Sequence, residues 1–200
     1  MIRTPTRPRS GRRIMKELSL NILDIAQNSV KAEAENITLE LIEEGNLFTF
    51  RITDDGKGMT KEFLDRVLDP FTTTRTTRKV GLGLPLLKMA AEATGGELHI
   101  VSRDRERFPL DHGTVVTATF FTDHIDCPPL GDIVSTVLLL LQSAPFAPRY
   151  VYKHQKNGEV FELDTAELHE QLGPDVPLDE PEVLAFLREY LSEGEESIGG

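Results

Sequence analysis

Cysteine is almost absent: Cys127 is the single one in 200 residues. A lone thiol excludes an internal disulfide and suits a reducing cytoplasm. Long apolar runs are missing as well. The longest, Val137-Leu138-Leu139-Leu140-Leu141, falls far short of the ~20 residues that a membrane span requires. Residues 1–14 hold five arginines and no acid, but no apolar stretch follows them, which excludes a secretory signal. This arm reads as disordered, or as an artefact of the translation start, because Met15-Lys16-Glu17-Leu18 looks like a natural beginning. No internal repeat is present.

What is present is an ordinary apolar share, 39%, enough for a real core in one medium domain or one domain with a small addition. The charge is unevenly placed. Residues 1–125 hold 18 Lys and Arg against 18 Asp and Glu, whereas residues 126–200 hold 4 against 15 and so carry the entire net charge of −11. An acidic unit beside a neutral one repels phosphate backbones, which argues against nucleic-acid binding. Those acids form either a solvated surface or a docking face for a protein partner.

Apolar residues recur at helical spacing from Met15 to Val30, giving a helix with one apolar face. Residues 37–43 alternate as a strand, Gly45-Asn46 turns, and residues 47–53 form its antiparallel partner. A loop follows at Asp54-Asp55-Gly56-Lys57-Gly58, then a short helix over 61–68 that Pro70 stops. Residues 84–93 predict a helix closed by Gly95-Gly96, and 97–101 and 114–121 predict strands. Adjoining strands argue for an α+β, mixed sheet covered by helices on one face. Beyond Pro128-Pro129 a second, small α+β unit is expected: a helix over 132–141, a hairpin of 150–153 and 160–163, a helix over 182–191, and a frayed tail at 192–200. The expected units are therefore 1–14, 15–125 and 126–200.

Two glycine pairs require explanation. Neither Gly56-Lys57-Gly58 nor Gly81-Leu82-Gly83 continues into G-x-G-x-x-G, because Lys61 and Leu86 stand where a third glycine belongs, and no P-loop occurs. Alternate glycines still let backbone approach a ligand and expose amides, and the second pair precedes a helix whose N-terminus attracts phosphate. Two tight turns are the competing reading. On the first helix, Asp24, Asn28 and Lys31 share one stripe. An amide oxygen there could serve Mg²⁺, an ammonium could neutralise phosphate, and a carboxylate could accept a proton from a nucleophile. The plainer reading is the solvent side of an amphipathic helix, although Asn is a poor mid-helix residue.

The segment Asp24-Ile25-Ala26-Gln27-Asn28-Ser29-Val30-Lys31-Ala32 resembles the N box of the GHKL superfamily, which holds gyrase, heat-shock chaperone, histidine kinase and MutL. Asp54-Asp55-Gly56-Lys57-Gly58-Met59 is similar to its G1 box, Asp69-Pro70-Phe71 to the F box, and Gly81-Leu82-Gly83-Leu84 to the G2 box. Four motifs in the family's order, over about residues 16–122, are specific together although none is alone. The likeness is nearest to histidine kinases and the mitochondrial dehydrogenase kinases, whose G2 box also runs into a proline, here Pro85.

The resemblance implies a two-layer α/β sandwich (the Bergerat fold) with ATP between sheet and helices. It implies Asn28 for Mg²⁺, Lys31 for phosphate, Asp24 as the catalytic acid–base group, Asp54 for the adenine amino group and Thr114 for adenine directly or through water. Thr72–Lys79 becomes the ATP lid, with Thr72 and one or more of Arg75, Arg78 and Lys79 closing on the γ-phosphate. Gly56, Gly58, Met59, Phe71, Gly81, Leu82, Gly83 and Leu84 complete the nucleotide contacts.

Two departures matter. The basic arm upstream of the N box has no phosphoacceptor histidine, and His169-Glu170 with Pro174 echoes the H box only faintly and downstream. A gyrase- or MutL-like transducer would need more residues than remain. Asp24 also replaces the glutamate commoner in hydrolysing members. Three functions follow as expectations: a cytoplasmic kinase acting on a protein docked at 126–200, a non-phosphorylating ATP-responsive subunit of a larger, possibly redox or hydrogenase, complex, or plain ATP hydrolysis.

Overall fold

A computed structural model describes residues 17–68, 83–143, 148–173 and 175–199. The chain runs α1 (Leu18–Lys31), β1 (Asn36–Glu44), β2 (Leu47–Asp54), α2 (Lys61–Val67), α3 (Gly83–Ala93), β3 (Leu98–Arg103) and β4 (Gly113–Phe121). It continues with α4 (Ile133–Ser143), β5 (Arg149–Lys156), β6 (Glu159–Asp164), α5 (Thr165–Leu172) and α6 (Pro181–Ser197). One six-stranded sheet has the order β3-β4-β2-β1-β5-β6. Its ladders are antiparallel except β1 with β5, which run parallel.

Period-two alternation builds the core. Leu39, Ile52, Val116, Ile100, Tyr152 and Leu163 stand in one row across the six strands, and the row beside it holds Leu41, Phe50, Ala118 and Leu98. This face is the buried one. The helices cover it: α1 lies against β1 and β2, α3 against β3 and β4, α5 against β5 and α6 against β6, while α4 fits between α1 and α6. The fold is thus an α+β sandwich with its helices on one face of a mixed sheet, as the residue pattern predicts. Phe48, Phe50 and Phe120 pack ring to ring at its centre, with centroids 6.2–6.5 Å apart.

Residues beyond 125 extend this same sheet. The parallel ladder runs from Asn36↔Arg149 to Glu43↔Lys156. Leu18 N–H donates to the Pro129 carbonyl at 2.9 Å and Ser19 N–H to the Leu130 carbonyl at 2.8 Å, tying the start of α1 to the segment entering α4.

Two local expectations change. The tail does not fray: α6 reaches Ser197, with Leu187, Leu191, Gly194 and Ile198 buried at helical spacing. The acidic residues between them mask that period in the sequence. Helix α5 was not anticipated, because Leu168 is its one buried large apolar residue. Its start is fixed by Asp164, whose side chain accepts from Ala166 N–H at 2.9 Å as an N-cap. Among the described residues, no helix is long and apolar enough to cross a membrane.

Candidate functional site

On the buried face of the sheet, one end row is polar where three neighbouring strands, β3, β4 and β2, meet. Register sets Ser102 of β3 opposite Thr114 of β4, and Thr114 opposite Asp54 of β2. Asp54 and Thr114 are each 9% exposed. A carboxylate so placed needs donors, because an unpaired buried charge is costly. Ser29, on the inner side of α1 and itself buried, donates its hydroxyl to Asp54 Oδ2 at 2.6 Å. Gly56 N–H donates to Oδ1 at 3.0 Å. Burial pushes the Asp54 carboxyl above its ordinary range, while the Ser29, Gly56 and Thr114 hydrogen bonds pull the other way.

The neighbouring carboxylate has a different task. Asp55 accepts from Glu35 N–H at 2.8 Å, Asn36 N–H at 2.9 Å and Asn36 Nδ2 at 2.7 Å. Burial works against its charge, but these bonds together hold it below the usual carboxylate range. Asp55 therefore ties β2 to the start of β1, and Asp54 alone is presented to the interior.

The loop after Asp54 is stapled at each step. Lys57 N–H donates to the Ala32 carbonyl at 2.8 Å, Met59 N–H to Ser102 Oγ at 2.8 Å, and His112 Nδ1 to the Gly56 carbonyl at 2.7 Å. Gly58 has φ +65°, and a Cβ there would lie 1.9 Å from the Arg103 carbonyl oxygen, so only glycine fits.

Helix α1 turns Ile22, Ile25, Ala26 and Ser29 inward and leaves Asp24, Asn28 and Lys31 exposed on its other side. Asp24 stands next to the start of α3: a Cβ on Gly83 would come 3.7 Å from Asp24 Oδ2. Gly83, at the N-terminus of α3, thus meets the first helix at its acidic residue. Leu84 packs against the core from the same turn.

The structure brings Asp54, Gly56 and Thr114 into direct contact and sets Gly83 beside Asp24. Met59 joins through its amide, and Gly58 through its fit against Arg103. Asn28 and Lys31 lie on the stripe with Asp24. Phe71, Thr72, Arg75, Arg78, Lys79, Gly81 and Leu82 lie outside the described residues. Ser29, Ser102 and His112 were missed. Ser29 had a signal, a poor helix former on the inner side of α1. Ser102 had one too: Leu98, Ile100 and Ser102 share a strand face whose last position turns polar. His112 had none.

The donors fit magnesium only in part. Among the described residues, no three His, Cys, Asp or Glu side chains gather to hold an ion. Asn28 offers one neutral oxygen, which suits an ion that keeps several waters and takes its remaining oxygens from phosphates.

Residues 7–124 match the family described as histidine kinase-, DNA gyrase B-, and HSP90-like ATPase. The chain belongs to this family. The matched stretch is thus a histidine-kinase-like ATP-binding domain. Sporulation kinase D of Bacillus subtilis is 32% identical over 100 residues, covering 49% of this chain and 18% of that protein. The sensor protein KdpD of Clostridium acetobutylicum is 28% identical over 95 residues, 45% of this chain and 10% of that one. The matched stretch is therefore less than a fifth of either relative. The ATPase domain of Aquifex aeolicus MutL, solved with ADP, is 15% identical with a TM-score of 0.49, covering 80% of this chain and 68% of that one.

Proposed function

We infer that this chain is a Mg-ATP-binding regulatory protein that acts on or with a partner protein by kinase-type phosphoryl transfer. One observation carries the reading: a buried carboxylate, Asp54, is held by Ser29 and Gly56 at the polar end row of the sheet. A carboxylate can only accept, so it selects a ligand edge that donates, as the adenine amino group does and the guanine carbonyl does not. The exposed side of the same helix supplies the rest. Asn28 would give the ion its one protein oxygen and Lys31 would offset phosphate charge. Asp24, beside the start of α3, would accept the proton of the attacking hydroxyl or orient it. Sporulation kinase D, one of the relatives reported above, bears the name of a kinase, which supports transfer over simple hydrolysis.

The test is incubation with γ-labelled ATP, magnesium and candidate partner proteins. Label on a partner is the expected result; phosphate release without a partner would replace transfer by hydrolysis. Calorimetry with Mg-ATP that detects no binding would remove the reading altogether.

A second reading, an ATP-responsive subunit that transfers nothing, is favoured by the ties at the start of α1. Leu18 and Ser19 donate to Pro129 and Leu130, and Gly131 packs against Glu17. A shift of α1 on nucleotide binding would therefore pull on the acidic 126–200 segment that a partner would grip. Tight binding with neither label transfer nor phosphate release would select this alternative.

A further inference from the structure

The hydrogen-bond inventory of the polar row assigns a task to a residue that neither glycine loop contains. Ser102 Oγ meets three partners: Met59 N–H at 2.8 Å, the Gly113 carbonyl at 3.1 Å and Thr114 Oγ1 at 2.9 Å. The Met59 amide can only donate and the Gly113 carbonyl can only accept. Ser102 therefore accepts from Met59, gives its own hydrogen to Gly113, and can take the Thr114 hydroxyl hydrogen. That arrangement turns a lone pair of Thr114 Oγ1 outward, so that Thr114 and Asp54, neighbours in the register, both present acceptors. It also holds the chain just after Gly58, where the loop presses on the Arg103 carbonyl.

We propose that Ser102 is a positioning residue for base selection: it fixes the Thr114 hydroxyl and the Met59 backbone so that the row accepts from a 6-amino purine and rejects a 6-oxo purine. The inference rests on the adenine reading of Asp54 given above. An alanine at 102 leaves the Met59 amide without its acceptor and frees the Thr114 hydroxyl to rotate. It alters neither the α1 stripe nor Ser29 and Gly56, which hold Asp54. A 6-oxo purine held in the same pose sets its carbonyl oxygen against these acceptors, so it loses nothing when they are disordered.

The experiment measures ADP and GDP affinity of the full chain by calorimetry for wild type, Ser102→Ala and Ser102→Thr, with a thermal melt of each free protein. The expected result is roughly tenfold weaker ADP binding by Ser102→Ala, the scale of a lost hydrogen bond or two, with GDP affinity unchanged. Ser102→Thr, which restores the hydroxyl on a β-branched side chain suited to a strand, regains most of the ADP affinity. Equal weakening of ADP and GDP, or an Ala variant that binds ADP like wild type, overturns the proposal while leaving the nucleotide site standing. If Ser102→Ala does not fold, Ser102→Thr decides: an ADP/GDP ratio like wild type is expected, and a collapsed ratio in a protein that melts normally overturns it. Wild-type protein that binds neither nucleotide removes both this inference and the reading beneath it.

Discussion

Replacing Ser29 with alanine isolates the hydrogen bond on which the buried carboxylate depends. In the folded protein the Ser29 hydroxyl lies 2.6 Å from Asp54 Oδ2, and Ser29 is 3% exposed. Water is poorly placed to replace it. A hydrogen bond to a charged group contributes about 1.5–3 kcal/mol, and alanine returns about 0.5 kcal/mol of helix propensity. The net loss of stability should be about 1–2.5 kcal/mol with the carboxyl ionised. The pH dependence has a definite sign. Burial raises the Asp54 pKa in the folded state, so its ionisation lowers stability as pH rises through that value. The Ser29 hydroxyl opposes this rise, so its removal raises the folded pKa further. The deficit of the variant is therefore largest above the Asp54 titration and shrinks as pH falls through it. Urea denaturation above and below the Asp54 titration, compared at equal m-value, reads the difference directly. A deficit of the same size on both sides, or none on the alkaline side, would refute a bond between this hydroxyl and an ionised carboxylate. Calorimetry on the same variant should show weakened ADP binding.

Asn28→Ala should weaken ADP only when magnesium is present, leaving metal-free binding unchanged; equal loss in EDTA would move Asn28 from the ion to the nucleotide. Gly58→Ala should cost at least about 2 kcal/mol in chemical denaturation, because the new Cβ combines a left-handed backbone with a clash against the Arg103 carbonyl. Gly194→Ala separates propensity from packing. An exposed helical site would gain about 1 kcal/mol from alanine, but here the Cβ would stand 2.2 Å from Phe161 Cε2, so the thermal midpoint should fall rather than rise.

Much of this architecture is carried by local pattern. Period-two runs mark both strands of the first hairpin, Asn157-Gly158 marks the second, and helical spacing marks α1, α3 and α4 to within a few residues. Asp54 and its glycines stand out because a turn that exposes backbone has a narrow choice of residues. Single residues with one local cue were harder to see. The end of α6 is disguised by acids that face solvent, and α5 owes its start to a cap and its position to β5. His112 reaches Gly56 across 56 positions in sequence, and no spacing rule links two such residues.

The sequence by itself determined helices α1, α3 and α4, the hairpins β1–β2 and β5–β6 and the acceptor character of Asp54, since these follow from dihedral preference, side-chain period and functional-group chemistry along short stretches. Only the tertiary structure decided that β5 lies parallel to β1, and that Ser29, Thr114 and Ser102 close around one carboxylate and one loop. Those arrangements depend on strand register between segments dozens of residues apart. Register is chosen by burying whole apolar rows at once, a condition that no short stretch of chain expresses alone.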